Sequence, residues 1–213
     1  VIAACVALFA AFGHRVQYAR AVGSTETFEG AATAWQVARI ASGTGSVTRS
    51  TAQAAAGSAS AAATTNAAGS VATVRTTFAS AAGDWNERPG RWNWQRASVY
   101  VPAASVAALG ANQYVTVGGL WSSAGGTGWY LRVRANGQLY VAGRDANNTL
   151  VEFPVYGAFP TNTWVELELG LHTQNGPGVK RAFAFLINGD LYGWYHQGRL
   201  TSEIYDTMAM GVL

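Results

Sequence analysis

Residues Thr163–His196 constrain this chain more than any other stretch. From Trp164 to His172 the sequence alternates without a break, with Val165, Leu167, Leu169 and Leu171 on one side and Glu166, Glu168 and His172 on the other. A period of two over that length specifies a β-strand with one buried face. A Gly/Pro/Asn-rich turn follows, and Arg181–Ile187 then reads as a second strand. Asn188-Gly189 closes a tight hairpin into Leu191–His196, because a type I′ turn needs positive φ at both central positions. Three consecutive strands follow from local chemistry alone.

The rest of the chain repeats the pattern in shorter pieces. Ser46–Arg49, Ser58–Thr64 and Val71–Phe78 read as strands. The Ala/Ser/Thr-rich composition around them leaves a low-complexity linker over 42–70 as the alternative. Ala52–Ala63 is not a helix, since Gly57, Ser58 and Ser60 interrupt it and no apolar stripe of helical period appears. Thr27–Gly30 and Trp35–Ala38 form an opening hairpin. Val99–Pro102 is a short strand, and Ala103–Leu109 one or two helical turns. Tyr114–Trp121 is a strand in which Gly118-Gly119 marks a bulge or a close backbone approach. Trp129, Leu131 and Val133 point inward while Tyr130, Arg132 and Arg134 point outward. Asn136-Gly137 turns that strand back into Gln138–Ala142, and Glu152–Tyr156 adds another strand. Short strands with turn signals between them, and no long amphipathic helix, specify an all-β antiparallel sandwich.

Composition excludes several functions. Charged residues are only 12% of the chain, and its net charge of +3 comes from fourteen basic residues scattered without a run. A phosphate-binding surface clusters its Lys and Arg, so no nucleic-acid partner is expected. The single cysteine, Cys5, excludes an internal disulfide and a cysteine-rich zinc site. The histidines His14, His172 and His196 show no metal-ligand spacing. No nucleophile elbow, phosphate loop or dinucleotide fingerprint occurs. Glu166 and Glu168 share one strand face at about 7 Å between Cα atoms, and the expectation for both is a solvated outer-face position.

Residues 1–23 stand apart from the rest. Val1–Gly13 is uncharged and apolar or small throughout. It is too short to span a bilayer, which takes about 20 residues, yet a helix apolar all round needs cover from lipid, a partner or copies of itself. Val1, Ile2, Val6, Leu8, Phe9 and Phe12 are the expected assembly contacts. A secretory signal, with an A-x-A-like site at Ala19-Arg20-Ala21, is the alternative. The segment resembles the N-terminal half-helix of type IV pilin-like subunits, although it has no acidic residue near its start. Self-assembly or a membrane or protein complex is therefore the expected partnership.

A resemblance covers residues 25–213. Phe28-Glu29-Gly30, Gly57-Ser58 before Val71–Phe78, Val99–Pro102, the hairpin at Asn136-Gly137, Thr163–Leu167 and Leu186-Ile187-Asn188-Gly189 occur in the order seen in concanavalin A-like jelly rolls of the LamG-like kind. That resemblance implies a two-sheet jelly-roll sandwich over residues 24–213, with one concave sheet, preceded by a hydrophobic N-terminal α-helix over 1–23. Domains of this kind often bind calcium, for which Asp145, Asn147 and Asn148 offer hard oxygen ligands; no other cofactor is expected. They also usually end on a strand returning beside the first. Met208–Leu213 only begins such a strand, so the expectation is either that the final strand lies beyond Leu213 or that the sheet has an open edge, which a neighbouring subunit covers.

Aromatic residues are the binding signal: eight Trp, nine Tyr and eight Phe. Trp92, Trp94, Trp121, Tyr192 and Trp194 are the candidate ligand or interface residues, because flat aromatics at a wet face stack on sugars or anchor protein partners. Asp84–Arg96, with three Trp and three Arg, reads as a loop that something must cover. The expectation is a non-catalytic, extracellular or cell-surface structural or adhesive subunit, such as a filament protein. A carbohydrate-binding module is second, and a polysaccharide-acting glycoside hydrolase or lyase third.

Overall fold

The computed structural model describes residues 28–29, 31, 38–66, 70–77, 91–121, 128–144, 149–173, 182–195 and 207–212. The strands are β1 (Ala38–Ser42), β2 (Ser46–Ser50), β3 (Ser60–Thr64), β4 (Val71–Thr77), β5 (Arg91–Tyr100), β6 (Tyr114–Trp121), β7 (Gly128–Arg134), β8 (Gln138–Arg144), β9 (Leu150–Ala158), β10 (Trp164–Thr173), β11 (Ala182–Ile187), β12 (Asp190–Tyr195) and β13 (Thr207–Val212). One short helix, α1 (Ala103–Ala107), lies between β5 and β6. A seven-stranded sheet runs β1-β4-β13-β6-β7-β8-β9, a four-stranded sheet runs β12-β11-β10-β5, and β2 pairs with β3. All the pairings are antiparallel.

The period-two pattern is what closes the sandwich. Val165, Leu167 and Leu169 of β10 and Phe183, Phe185 and Ile187 of β11 face Trp129, Leu131 and Val133 of β7 and Leu139 and Val141 of β8 in one buried cluster. Trp129 stacks on Phe183 across the layers, with ring centroids 5.9 Å apart and planes 8° apart. Each of these aliphatic side chains contributes roughly 1.5–3 kcal/mol by leaving water.

Turn chemistry sets the register. Asn188 and Gly189 both have positive φ (53° and 86°), as a type I′ turn requires. Asn188 also ties the turn to β10: its N–H donates to Glu166 O (2.8 Å), and its Oδ1 accepts from Glu166 N (2.9 Å). The Asn136-Gly137 hairpin forms differently. Only Gly137 of that pair is left-handed (76°), and its N–H donates to Arg134 O at 2.8 Å. This is a type I turn closed by a left-handed glycine.

Glu29 pins the chain before β1 to the start of β3. Its carboxylate accepts from Ser58 N (2.7 Å), Ser58 Oγ (2.6 Å) and Ala59 N (3.1 Å), with Arg49 Nη2 3.8 Å away. A Cβ on Gly57, which is itself left-handed (71°), would lie 2.2 Å from Glu29 Oε1, so the glycine is a requirement of the clamp. The hydrogen bonds from Ser58 hold the Glu29 carboxyl below its ordinary value of 4.5, and Arg49 adds to this. A depressed folded value means the clamp's contribution is fully present above the ordinary carboxylate range and is lost as pH falls through the folded value. Thermal melts from neutral to acid pH should show Glu29→Gln converging on the wild type at the acid end. A constant gap in Tm across that range would refute the assignment.

Two expectations are corrected. The stretch 84–96 is not all loop: from Arg91 it is β5, paired with β10 over ten residues, Arg91↔Thr173 to Tyr100↔Trp164. Its Trp/Arg richness misled because composition does not reveal that the segment pairs with β10. The terminal strand is not missing either. β13 lies inside the large sheet between β4 and β6, so no neighbour is needed to complete it. The strands expected at Ser46–Arg49 and Ser58–Thr64 do form, as β2 and β3 paired Ser46↔Thr64 to Ser50↔Ser60, and the linker alternative falls away. Residues 1–23, including Val1, Ile2, Val6, Leu8, Phe9 and Phe12, lie outside the described residues. Among the described residues no helix is long and apolar enough to cross a membrane.

Candidate functional site

The face of the seven-stranded sheet turned away from the core gathers charged and aromatic side chains. β7 places Leu131 and Val133 inward, so Tyr130, Arg132 and Arg134 project outward between β6 and β8. The two arginines lean to opposite sides. The Arg132 guanidinium lies 4.0 Å from the centre of the Tyr114 ring on β6, and that of Arg134 lies 4.7 Å from the Tyr140 ring on β8. Tyr130 is also within reach of Arg132, at 5.8 Å. Such cation–π contacts hold a guanidinium flat against a ring and leave its nitrogen edge available. Gly119, opposite Tyr130, makes room for that ring, since a Cβ there would come within 2.7 Å of Tyr130 Cδ1.

Glu152 on β9 reaches over β8 to both arginines. Arg134 Nη2 donates to its Oε2, and Arg132 Nη1 lies 3.7 Å from its Oε1. Ala142, opposite Glu152, is fully buried although it lies on this outer face, so the longer side chains cover it. Gln138 accepts from the Tyr140 hydroxyl at 3.3 Å. Two guanidiniums and one carboxylate leave the cluster one net positive charge.

The cluster is only half satisfied. Thr116 Oγ1, Arg132 Nε, Arg134 Nε and Glu152 Oε1 are buried without a hydrogen-bond partner; among the described residues only Trp129 Nε1 joins them. Buried polar groups are paired almost everywhere in folded proteins, and each orphan costs about 1–3 kcal/mol. Four of them fall in one patch, which therefore has unused hydrogen-bonding capacity. The arginines and Glu152 still touch solvent, with side-chain exposures of 14%, 27% and 21%, so a ligand can reach them.

The opposite sheet places the glutamates. Glu166 is half-exposed, but Glu168 is only 3% exposed, with Arg96 Nη2 3.5 Å from it and Arg96 Nη1 3.3 Å from Glu166. Glu168 is therefore a paired, buried carboxylate and not a solvated one. Register explains this: Arg96 of β5 sits directly opposite Glu168.

The aromatic candidates fall in several places. Trp94 lies against Gly170, where a Cβ would meet its ring at 2.6 Å. Tyr192 packs against the core, its ring 6.2 Å from Phe185. Trp92, Trp121 and Trp194 take strand positions on β5, β6 and β12. Asp145, Asn147 and Asn148 lie outside the described residues, and among the described ones no group of three or more His, Cys, Asp or Glu could hold a metal ion. Sequence reading saw that Tyr130, Arg132 and Arg134 point outward but did not see a site. The available signal was two arginines two residues apart on one strand face.

The architecture is an antiparallel two-sheet β-sandwich of a kind found in carbohydrate-active proteins. The chain resembles the endo-β-1,4-glucuronan lyase of the fungus Trichoderma reesei, with a TM-score of 0.60 and 13% identity over 88% of this chain and 84% of that one. It also resembles a carbohydrate esterase from the Shiga toxin-encoding bacteriophage phi24B, with a TM-score of 0.51 and 18% identity over 81% of each chain. No protein-family model and no curated protein sequence matches the chain. These likenesses overturn the expectation of a non-catalytic protein, since both structures named here are enzymes of carbohydrates. The pilin-like likeness gains no support from either structure.

Proposed function

We propose that this chain is a carbohydrate-active enzyme that cleaves a uronate-containing polysaccharide by β-elimination on the outer face of the seven-stranded sheet. The sandwich is read as a jelly roll that presents this face to the polymer outside the cell. The observation that carries the proposal is the half-satisfied Arg132–Arg134–Glu152 cluster flanked by Tyr114 and Tyr140. The fold likeness to a glucuronan lyase supports it.

The geometry suits each part of that reaction. Elimination next to a uronate carboxylate needs charge taken off the carboxylate, a base for the C5 proton and an acid for the departing O4. Arg132 and Arg134 offer fork-shaped donors for the carboxylate, which stabilises the charge that builds on it as the C5–H bond breaks. The rings of Tyr114 and Tyr140 flank the guanidiniums from either side. One tyrosine, acting as its phenolate, takes the C5 proton and becomes the phenol, while the other, as its phenol, gives a proton to O4 and becomes the phenolate. The C5–H pair becomes the C4=C5 double bond, the C4–O4 bond breaks, and one shorter chain leaves with a new hydroxyl end.

Incubation with glucuronan, alginate and polygalacturonate tests the reading directly. A time-dependent rise in the ultraviolet absorbance of the unsaturated uronate, with falling polymer size, is expected on at least one of them. No rise and no size change on any of the three would overturn it.

A further inference from the structure

We infer that Glu152 determines the selectivity of this face for uronate polymers over sulfated ones. The inference rests on the polyuronate reading above and concerns the same cluster. Without Glu152 the face would carry two uncompensated guanidiniums and favour whichever polymer has the densest negative charge. With it, the residual charge is a single positive one, matched to one carboxylate per sugar. Specificity of this kind needs a feature that disfavours the wrong ligand as well as one that favours the right one.

Glu152 does both through its charge, holding the two guanidiniums at this face and repelling excess anion. Its Oε2 is engaged by Arg134, whereas its Oε1 is buried and accepts no hydrogen bond. Arg132 Nη1, at 3.7 Å, is within ion-pair range of that oxygen but too far to donate to it. The oxygen is therefore covered by its neighbours, and Glu152 acts on a ligand through its charge. A uronate sugar presents one carboxylate for the arginines. A densely sulfated sugar brings a second anionic group into the same space, where the fixed carboxylate repels it.

Affinity chromatography and titration with polyglucuronate and with dextran sulfate at matched ionic strength give the selectivity ratio. The wild type is expected to prefer polyglucuronate. Glu152→Gln removes the charge, and Glu152→Ala removes charge and acceptor; each is expected to shift the ratio toward dextran sulfate by about tenfold. Glu152→Asp keeps the charge and is expected to hold the ratio near wild type, so it decides the matter if the other two variants fail to fold. An unchanged ratio in Gln and Ala, equal losses on both polymers, or an Asp variant that shifts as they do would overturn the inference. Selective binding without turnover refutes the lyase reading and leaves the selectivity role standing. A wild type that binds neither polymer overturns the selectivity role and leaves the lyase reading to its own test on the three polymers.

Discussion

Arg132→Ala is expected to lower kcat/KM on a polyuronate by roughly 10²–10³-fold, the cost of removing one preorganised donor from a developing anion. Arg132 is central to the site because three partners converge on it: the Tyr114 ring at 4.0 Å, Tyr130 at 5.8 Å and Glu152 at 3.7 Å. Its removal also takes away the charge balancing Glu152, leaving Arg134 as that carboxylate's counter-ion. Stability should move far less than activity, by about 1 kcal/mol, because the side chain lies on an outer face and its cation–π contacts are partly hydrated. Arg132→Lys separates charge from shape. An ammonium keeps the charge but loses the planar fork, so most of the loss should persist. Steady-state rates from the unsaturated product, with thermal melts on the same samples, check both halves. A kcat/KM within twofold of wild type would exclude Arg132 from the chemistry.

The largest stability effect is expected at Trp129. Trp129→Ala should cost roughly 3–5 kcal/mol, as large-to-small core substitutions do, against total stabilities of about 5–15 kcal/mol. The ring is fully buried, stacks on Phe183 and lies over Gly143, whose missing Cβ would come within 2.4 Å of Trp129 Cε3. It therefore fills the space between the sheets at a point where the backbone of β8 has been cleared for it. Trp129→Phe should cost less. It keeps an aromatic face on Phe183, and it removes the indole N–H, which is buried without a partner. Urea unfolding should show a lower midpoint in both variants, larger for Ala, with the slope preserved. If Ala and Phe lowered the midpoint equally, the filling of that space would not be the source of the effect.

The sequence is most legible where the determinant is local. Val165, Leu167 and Leu169 face the core and Asn188-Gly189 turns as a type I′ pair because side-chain period and positive φ are properties of adjacent residues. The bulge expected at Gly118-Gly119 also appears, as a register shift between Thr116 and Gly118. Arg132 and Arg134 were legible as outward-facing. Their partner was not, because Glu152 lies two strands away and is brought over Ala142 by register alone. The same limit hid Glu168. Alternation correctly set it on the outer face, but its ion-pair partner is Arg96, more than seventy positions earlier in the chain and directly opposite once β5 pairs with β10. The Trp/Arg content of 84–96 suggested loop for a related reason: composition describes what a segment carries and not what it pairs with.

The sequence alone determined strands, turns and the sides on which residues stand, since φ preferences and the two-residue period act between neighbours. Tertiary structure alone decided that β13 inserts between β4 and β6, that Glu168 is paired and buried, and that Arg132, Arg134 and Glu152 meet. Those outcomes depend on which strand lies beside which, and strand order is set by burying both sheets' apolar faces at once, a condition on the whole chain.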